Sequence, residues 1–180
     1  MATRCTLVGL PGSGKSTVGR HLARRLELPF VDMDQRLEQR LGCSIRAYFE
    51  LRGEEAFRDC ETQLLEELAQ SGESMVLSTG GGVVLREANR ALLARGCAPV
   101  FYLRAAPEAI FRRLRHDSKR PLLQVANPLE RLRELYRVRD PLYRAVAQYV
   151  VEARRPSVHA LVAMVQMQLD LAPAPASPSA

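Results

Sequence analysis

The chain has 180 residues, of which 47% are hydrophobic, and a formal net charge of +6 at pH 7. This length allows one sizeable core and leaves little room for a second full domain. No apolar run approaches the ~20 residues that a membrane span needs, and the first residues lack the layout of a signal peptide. We therefore predict one cytoplasmic domain over residues 1–171, with no membrane partner.

Cysteine, histidine and basic residues exclude several further classes. The four cysteines and three histidines are scattered and match neither a metal-ligand pattern nor a disulfide framework. Basic residues concentrate in 112–120 and 131–144 without interleaved aromatic residues, which favours small anionic substrates over nucleic acid. Because no sustained heptad pattern is present, we expect a monomer.

Five short apolar runs alternate with stretches of helical periodicity. The predicted strands are Cys5 to Val8, Phe30 to Val31, Met75 to Leu77, Val100 to Leu103 and Tyr149 to Val151. Such alternation implies a parallel sheet covered on both faces, with ligands at the carboxyl ends of the strands. The predicted fold is therefore a three-layer α/β/α arrangement with a central five-stranded parallel sheet.

Glycine and proline mark the predicted helix boundaries. Gly53 interrupts the helical segment 44–70, so we expect two helices or one bent helix there. Pro107 and Pro128 begin later helices, and Ser157 precedes the last one. Residues 172–180 contain only Ala, Pro and Ser, and we predict a disordered tail.

The segment Gly9-Leu10-Pro11-Gly12-Ser13-Gly14-Lys15-Ser16 matches the pattern G-x-x-x-x-G-K-[ST] between the first strand and the first helix. In this context the backbone N–H groups can surround a phosphate, and Lys15 can neutralise the β and γ oxygens. The hydroxyl of Ser16 can coordinate Mg²⁺. We predict an ATP site formed by Gly12, Ser13, Gly14, Lys15, Ser16 and Thr17.

Two carboxylates follow the second strand. Residues two apart in extended backbone point the same way, so Asp32 and Asp34 can both face the cleft, one serving the metal and the other the nucleophile. Alternatively, Asp34 caps a helix over Gln35 to Leu41. The residues alone leave both interpretations open.

Six short motifs follow one another along the chain. They are Gly9 to Ser16, Asp32-x-Asp34, Gly53-Glu54-x-x-Phe57-Arg58, Gly80-Gly81-Gly82, Arg120-Pro121-Leu122-Leu123 and Arg139-x-Pro141-Leu142-Tyr143. Together, in their order and spacing from Thr6 to Pro156, they closely resemble shikimate kinase. The resemblance implies a P-loop kinase fold with a mobile lid. It also implies transfer of the γ-phosphoryl group of ATP to the 3-hydroxyl of shikimate, on the chorismate route to aromatic amino acids.

The resemblance also implies roles for particular residues. Asp34 would bind the shikimate hydroxyls and act as the base, and Asp32, with Ser16, would support Mg²⁺ as cofactor. Arg58 and Arg139 would clamp the carboxylate, because a guanidinium matches its planar shape. The implied substrate site comprises Asp34, Arg58, Gly80, Gly81, Gly82 and Arg139, and the implied catalytic residues are Lys15, Asp34 and Arg120.

The basic segment 112–126 would form the lid, with Arg120 against the transferring phosphoryl group. Arg113 would cover one face of adenine, with Pro156 and Arg155 on the other. A solvated charge cluster is the alternative for this segment.

Other interpretations remain open from the residues. Arg58 with Glu61 at i+3 is typical of a surface ion pair. A related P-loop kinase acting on gluconate or a nucleoside monophosphate is a second candidate function. A non-catalytic domain that senses nucleotide or binds nucleic acid is a third, although the presence of Lys15, Ser16 and both aspartates argues against it.

Overall fold

The computed structural model describes residues 4–115, 125–153 and 157–171. Its five strands form one sheet in the order β2-β3-β1-β4-β5, with every neighbouring pair parallel. The strands are β1 (Arg4–Val8), β2 (Phe30–Asp32), β3 (Met75–Ser78), β4 (Val100–Arg104) and β5 (Tyr149–Glu152). All five predicted strands and the predicted parallel α/β fold are confirmed.

Seven helices and one 3₁₀ turn surround the sheet within the described ranges. They are α1 (Lys15–Leu26), α2 (Met33–Leu41), α3 (Ile45–Gln70), the 3₁₀ turn Val83–Leu85, α4 (Glu87–Gly96), α5 (Pro107–Leu114), α6 (Pro128–Val146) and α7 (Val158–Leu171). Helix α1 packs against α7, while α6 packs against α4 and α5. None of these helices is long and apolar enough to cross a membrane.

The core lies on both faces of the sheet. All four residues of β3 are buried, as are the first four of β4, which is typical of parallel strands covered by helices on both sides. All four cysteines fall within the described ranges and are free thiols. Burial raises the pKa of the Cys5 thiol, so this side chain acts as an apolar filler.

The end of β2 differs from the prediction in a way that matters for the site. The Asp32 carboxylate accepts a hydrogen bond from the backbone N–H of Gln35 at 3.3 Å and caps α2, which begins at Met33. Asp34 therefore lies in the first turn of α2, and its placement on extended backbone was wrong. The predicted capping by Asp34 was also wrong, since Asp32 is the capping residue.

Gly53 divides α3 as predicted. Its backbone has φ 80° and ψ 171°, which a residue with a side chain rarely adopts, and the helix bends there. The second half of α3 therefore runs in its own direction and carries Arg58 towards the carboxyl ends of the strands. The domain limits 1–171 remain a prediction, because residues 116–124 of the predicted lid and the tail 172–180 lie outside the described ranges.

Candidate active site

The loop between β1 and α1 has the geometry of a phosphate cradle. The Lys15 ammonium group folds back and donates hydrogen bonds to the carbonyl oxygens of Gly9 at 2.8 Å and Leu10 at 3.0 Å. Gly14 precedes α1 with φ 99°, so the first N–H groups of the helix face the loop. The buried Ser13 hydroxyl has no hydrogen-bond partner within the described residues. This orphaned donor and the helix N-terminus fit a bound phosphate.

Helix α5 packs directly on this loop. Gly12 has φ 80°, which residues with a side chain rarely adopt, and a Cβ atom there would lie 2.5 Å from the Leu114 side chain, so the position favours glycine. Arg113 donates a hydrogen bond to the Gly12 carbonyl oxygen at 3.0 Å. The structure thus brings Arg113 to the phosphate loop, whereas Arg120, Arg155 and Pro156 lie outside the described residues.

Three oxygen-bearing side chains meet beside the loop. Ser16 donates a hydrogen bond to the Asp32 carboxylate at 2.6 Å, and its hydroxyl lies 3.4 Å from that of Ser78. Asp32 faces Ser78 because β2 pairs with β3 in that register. Hydroxyl and carboxylate oxygens are the donors that Mg²⁺ prefers, so the chemistry of this set fits that ion. The sequence analysis assigned no role to Ser78.

Asp34 lies next to this cluster and borders the glycine loop that follows β3. Desolvation raises the pKa of the Asp34 carboxyl, Lys15 lowers it, and Asp32 raises it again, leaving the pKa above its ordinary value. Residue Asp34 nevertheless remains exposed to solvent. A raised pKa makes the carboxylate a better proton acceptor.

Arg58 and Glu61 form a buried ion pair on the second half of α3. Arg58 is 8% exposed and Glu61 is 1% exposed, and the guanidinium donates to the Glu61 carboxylate at 2.7 Å and to Glu54 at 3.0 Å. The surface ion pair was therefore the wrong interpretation, because the bent helix packs this face against the glycine loop. Burial raises the pKa of Glu61, and the neighbouring Arg58 lowers it without restoring the ordinary value.

The three glycines after β3 allow close approach by these charged groups. A Cβ atom on Gly82 would lie 2.4 Å from the Arg58 guanidinium, and one on Gly80 would lie 2.7 Å from Asp34. One on Gly81 would lie 2.6 Å from Pro11 of the phosphate loop. The glycine loop therefore touches the carboxylate, the arginine and the phosphate loop at once.

Arg139 approaches from α6. Burial raises the pKa values of Glu61 and Tyr143, and the positive charge of Arg139 lowers both pKa values. Arg139 therefore lies near the Arg58–Glu61 pair. The Tyr143 hydroxyl donates a hydrogen bond to the Gly81 carbonyl oxygen and ties α6 to the glycine loop. The sequence analysis gave Tyr143 no role, although its place in the Arg139 motif was a signal.

A strand-to-helix phosphate loop, an adjoining pair of acids and a separate pair of arginines define this protein as a P-loop kinase. A family model described as shikimate kinase matches residues 11–170. The shikimate kinase of Paracidovorax citrulli (strain AAC00-1) is 58% identical over 168 residues, which cover 92% of this chain and 91% of that protein. The chain belongs to the shikimate kinase family.

Solved structures agree with this membership. A shikimate kinase from Acinetobacter baumannii in complex with shikimate has a TM-score of 0.86 and 43% identity, covering 95% of this chain and 94% of that one. A gluconokinase from Sinorhizobium meliloti 1021 is 18% identical with a TM-score of 0.58, over 94% of this chain and 92% of that one, and so shares the fold alone. The predicted resemblance is confirmed, and the chain is an ATP-dependent phosphotransferase.

Proposed function

We propose that this chain transfers the γ-phosphoryl group of ATP to the 3-hydroxyl of shikimate, giving shikimate 3-phosphate and ADP. The observation that carries the proposal is the buried Arg58 guanidinium, which two glutamates hold in place beside the glycine loop. An arginine held in this way can receive a planar carboxylate without first losing conformational freedom. Its position next to Asp34 and Gly82 fits a small hydroxy acid.

ATP would bind through the phosphate loop. Backbone N–H groups at the start of α1 and the Ser13 hydroxyl would bind phosphate oxygens, and Lys15 would move from the Gly9 and Leu10 carbonyls to the β and γ oxygens. The full proposed set is Gly12, Ser13, Gly14, Lys15, Ser16 and Thr17, with Arg113, Arg155 and Pro156 near adenine. Arg120, on the proposed lid over 112–126, would stabilise charge on the transferring group.

The acceptor would bind on the other side of the glycine loop. Arg58 and Arg139 would hold its carboxylate, and Gly80, Gly81 and Gly82 would let the ring approach the backbone. Asp34 would then orient the 3-hydroxyl and accept its proton, helped by its raised pKa. Because phosphoryl transfer depends mainly on alignment and charge stabilisation, the orienting role would contribute most.

Ser16 and Asp32 are the proposed residues for Mg²⁺. Their hydroxyl and carboxylate are already joined at 2.6 Å next to the phosphate loop. When bound there, Mg²⁺ would offset the negative charge of the β- and γ-phosphates. A monomeric, cytoplasmic protein without a nucleic-acid partner remains our prediction from the sequence.

An ADP-release assay with a panel of acceptors tests the proposal. ATP and Mg²⁺ are held constant while shikimate, quinate, gluconate and nucleoside monophosphates are supplied in turn. We expect shikimate alone to stimulate ADP release, with mass spectrometry showing one added phosphoryl group on the acceptor. Release that is equally fast with gluconate or with a nucleoside monophosphate would assign a different acceptor.

A further inference from the structure

A polar cluster outside the candidate site joins α6 to the sheet. Asp140 is its centre, and its carboxylate accepts hydrogen bonds from the Tyr102 hydroxyl at 2.8 Å, from Arg104 Nε at 3.1 Å and from Arg144 Nε at 2.8 Å. Tyr102 and Arg104 belong to β4, and Asp140 and Arg144 belong to α6. One carboxylate therefore fixes the helix to the strand.

Arg104 extends the same cluster. Its guanidinium donates to Glu152 of β5 at 2.7 Å and to the Tyr136 hydroxyl, and its Cζ atom lies 5.6 Å from the centre of the Tyr136 ring. Burial raises the pKa of Asp140, but hydrogen bonds from Arg144, Tyr102 and Arg104 outweigh it and hold the pKa below its ordinary range. Asp140 is thus a charged acceptor at neutral pH, with 15% of its side chain exposed.

The helix needs this attachment at Asp140 in particular. The next residue, Pro141, lies inside α6 and lacks the backbone N–H that would bond to the carbonyl of Arg137. The helical ladder is therefore interrupted beside Asp140. Side-chain hydrogen bonds to β4 replace part of the lost backbone restraint at the turn that carries Arg139.

The residues of α6 that border the candidate site lie within one helical turn of Asp140. Arg139 and Tyr143 are four residues apart, so they lie on one face of the helix. The Tyr143 ring lies 4.9 Å from that of Tyr102, and its hydroxyl donates to Gly81. Tyr102 thus touches α6 twice, once through Asp140 and once through Tyr143.

We propose that Asp140 is a positioning residue, which through Tyr102 and Arg104 holds α6 so that Arg139 meets the substrate carboxylate. This inference rests on the proposed function, because it takes Arg139 as one arm of the carboxylate clamp. Asp140 itself contacts no substrate. Its contribution is to the position and orientation of the Arg139 guanidinium. A misplacement of a binding group by about 1 Å can cost up to about a hundredfold in rate.

Steady-state kinetics of Asp140→Ala, Asp140→Asn and the control Glu152→Gln test the proposal. For Asp140→Ala we expect the KM for shikimate to rise about tenfold, with the KM for ATP within about twofold of wild type. Asp140→Asn, which retains an acceptor oxygen, should recover part of the loss. Glu152→Gln neutralises an exposed partner of Arg104 while keeping an acceptor oxygen, and it should leave both constants unchanged.

A double-mutant cycle with Arg139→Ala separates positioning from general stability. If Asp140 acts through Arg139, Asp140→Ala should lower kcat/KM for shikimate by less than about twofold in the Arg139→Ala background. An equal loss in both backgrounds, or a lower Tm with an unchanged KM for shikimate in either Asp140 variant, would overturn the proposal. Wild-type protein that fails to phosphorylate shikimate would instead refute the proposed function.

Discussion

Arg58 donates a hydrogen bond to Glu61 across 2.7 Å, and the carboxylate that receives it is 1% exposed. Removing two charges from water costs several kcal/mol for each ion, which such a pair recovers only with good geometry and further hydrogen bonds. The cost makes sense at a binding site, because the paired guanidinium is held in one orientation before any ligand arrives. Glu54 supplies a second contact to the same group at 3.0 Å.

The glycine loop gives two alanine variants with different expected defects. In Gly82→Ala the new methyl group would overlap the Arg58 guanidinium, so we expect the KM for shikimate to rise about tenfold or more. In Gly80→Ala it would overlap Asp34, so kcat should fall instead. Steady-state kinetics with each substrate varied distinguish the two defects. An identical pattern in both variants would contradict the assigned roles.

Glu61→Gln should change how stability depends on pH. The pKa of Glu61 is raised in the folded protein, so above about pH 4 the folded state keeps a proton that the unfolded state has released. Wild-type stability therefore falls as the pH rises from about 4 to the folded pKa, and the variant lacks this part of the fall. Urea denaturation at a series of pH values between about 4 and 8 measures this. The free energy of unfolding of the variant, relative to that of wild type, should increase as the pH rises.

Glu67→Gln is the control for that experiment. A hydrogen bond from Arg40 lowers the pKa of Glu67, so ionisation of this exposed carboxyl favours the folded state. Relative to wild type, this variant should lose stability as the pH rises through about 4. If the stability of both variants relative to wild type changed in the same direction with pH, burial would not be the cause of the raised pKa of Glu61.

Lys15→Met should abolish most phosphoryl transfer without unfolding the protein. Loss of one charge-stabilising donor typically lowers kcat by about a hundredfold to a thousandfold, and we expect at least the upper end here. Arg20→Met, on the exposed side of the same helix, is the matched control and should keep its turnover. Single-turnover assays and circular dichroism give the two readouts. Near-normal turnover in folded Lys15→Met protein would remove the lysine from the mechanism.

Asp34→Asn and Asp32→Asn should differ in their response to Mg²⁺. Asp34→Asn should lower kcat by about a hundredfold or more, with an unchanged Mg²⁺ concentration for half-maximal rate. Asp32→Asn should raise that concentration, because its carboxylate lies 2.6 Å from the Ser16 hydroxyl. Magnesium titrations at saturating ATP and shikimate measure both effects. Unchanged turnover in Asp34→Asn would exclude this residue as base and as orienting group.

The sequence was sufficient for the sheet and for the phosphate loop, since both depend on local patterns. It did not place Asp34 in the first turn of α2, because that placement depends on the cap that Asp32 provides to the helix. Burial of Glu61 could not be predicted, since i+3 spacing is the same for exposed and buried pairs. The role of Asp140 depends on contacts with Tyr102 and Arg104, more than 30 residues away in the chain.

A crystal structure with ADP, Mg²⁺ and shikimate tests the central claim most directly. We expect the ADP phosphates at the start of α1 and the shikimate carboxylate between the guanidinium groups of Arg58 and Arg139. The 3-hydroxyl should lie within hydrogen-bond distance of Asp34. Shikimate bound away from the glycine loop, with its carboxylate contacting neither arginine, would contradict the account.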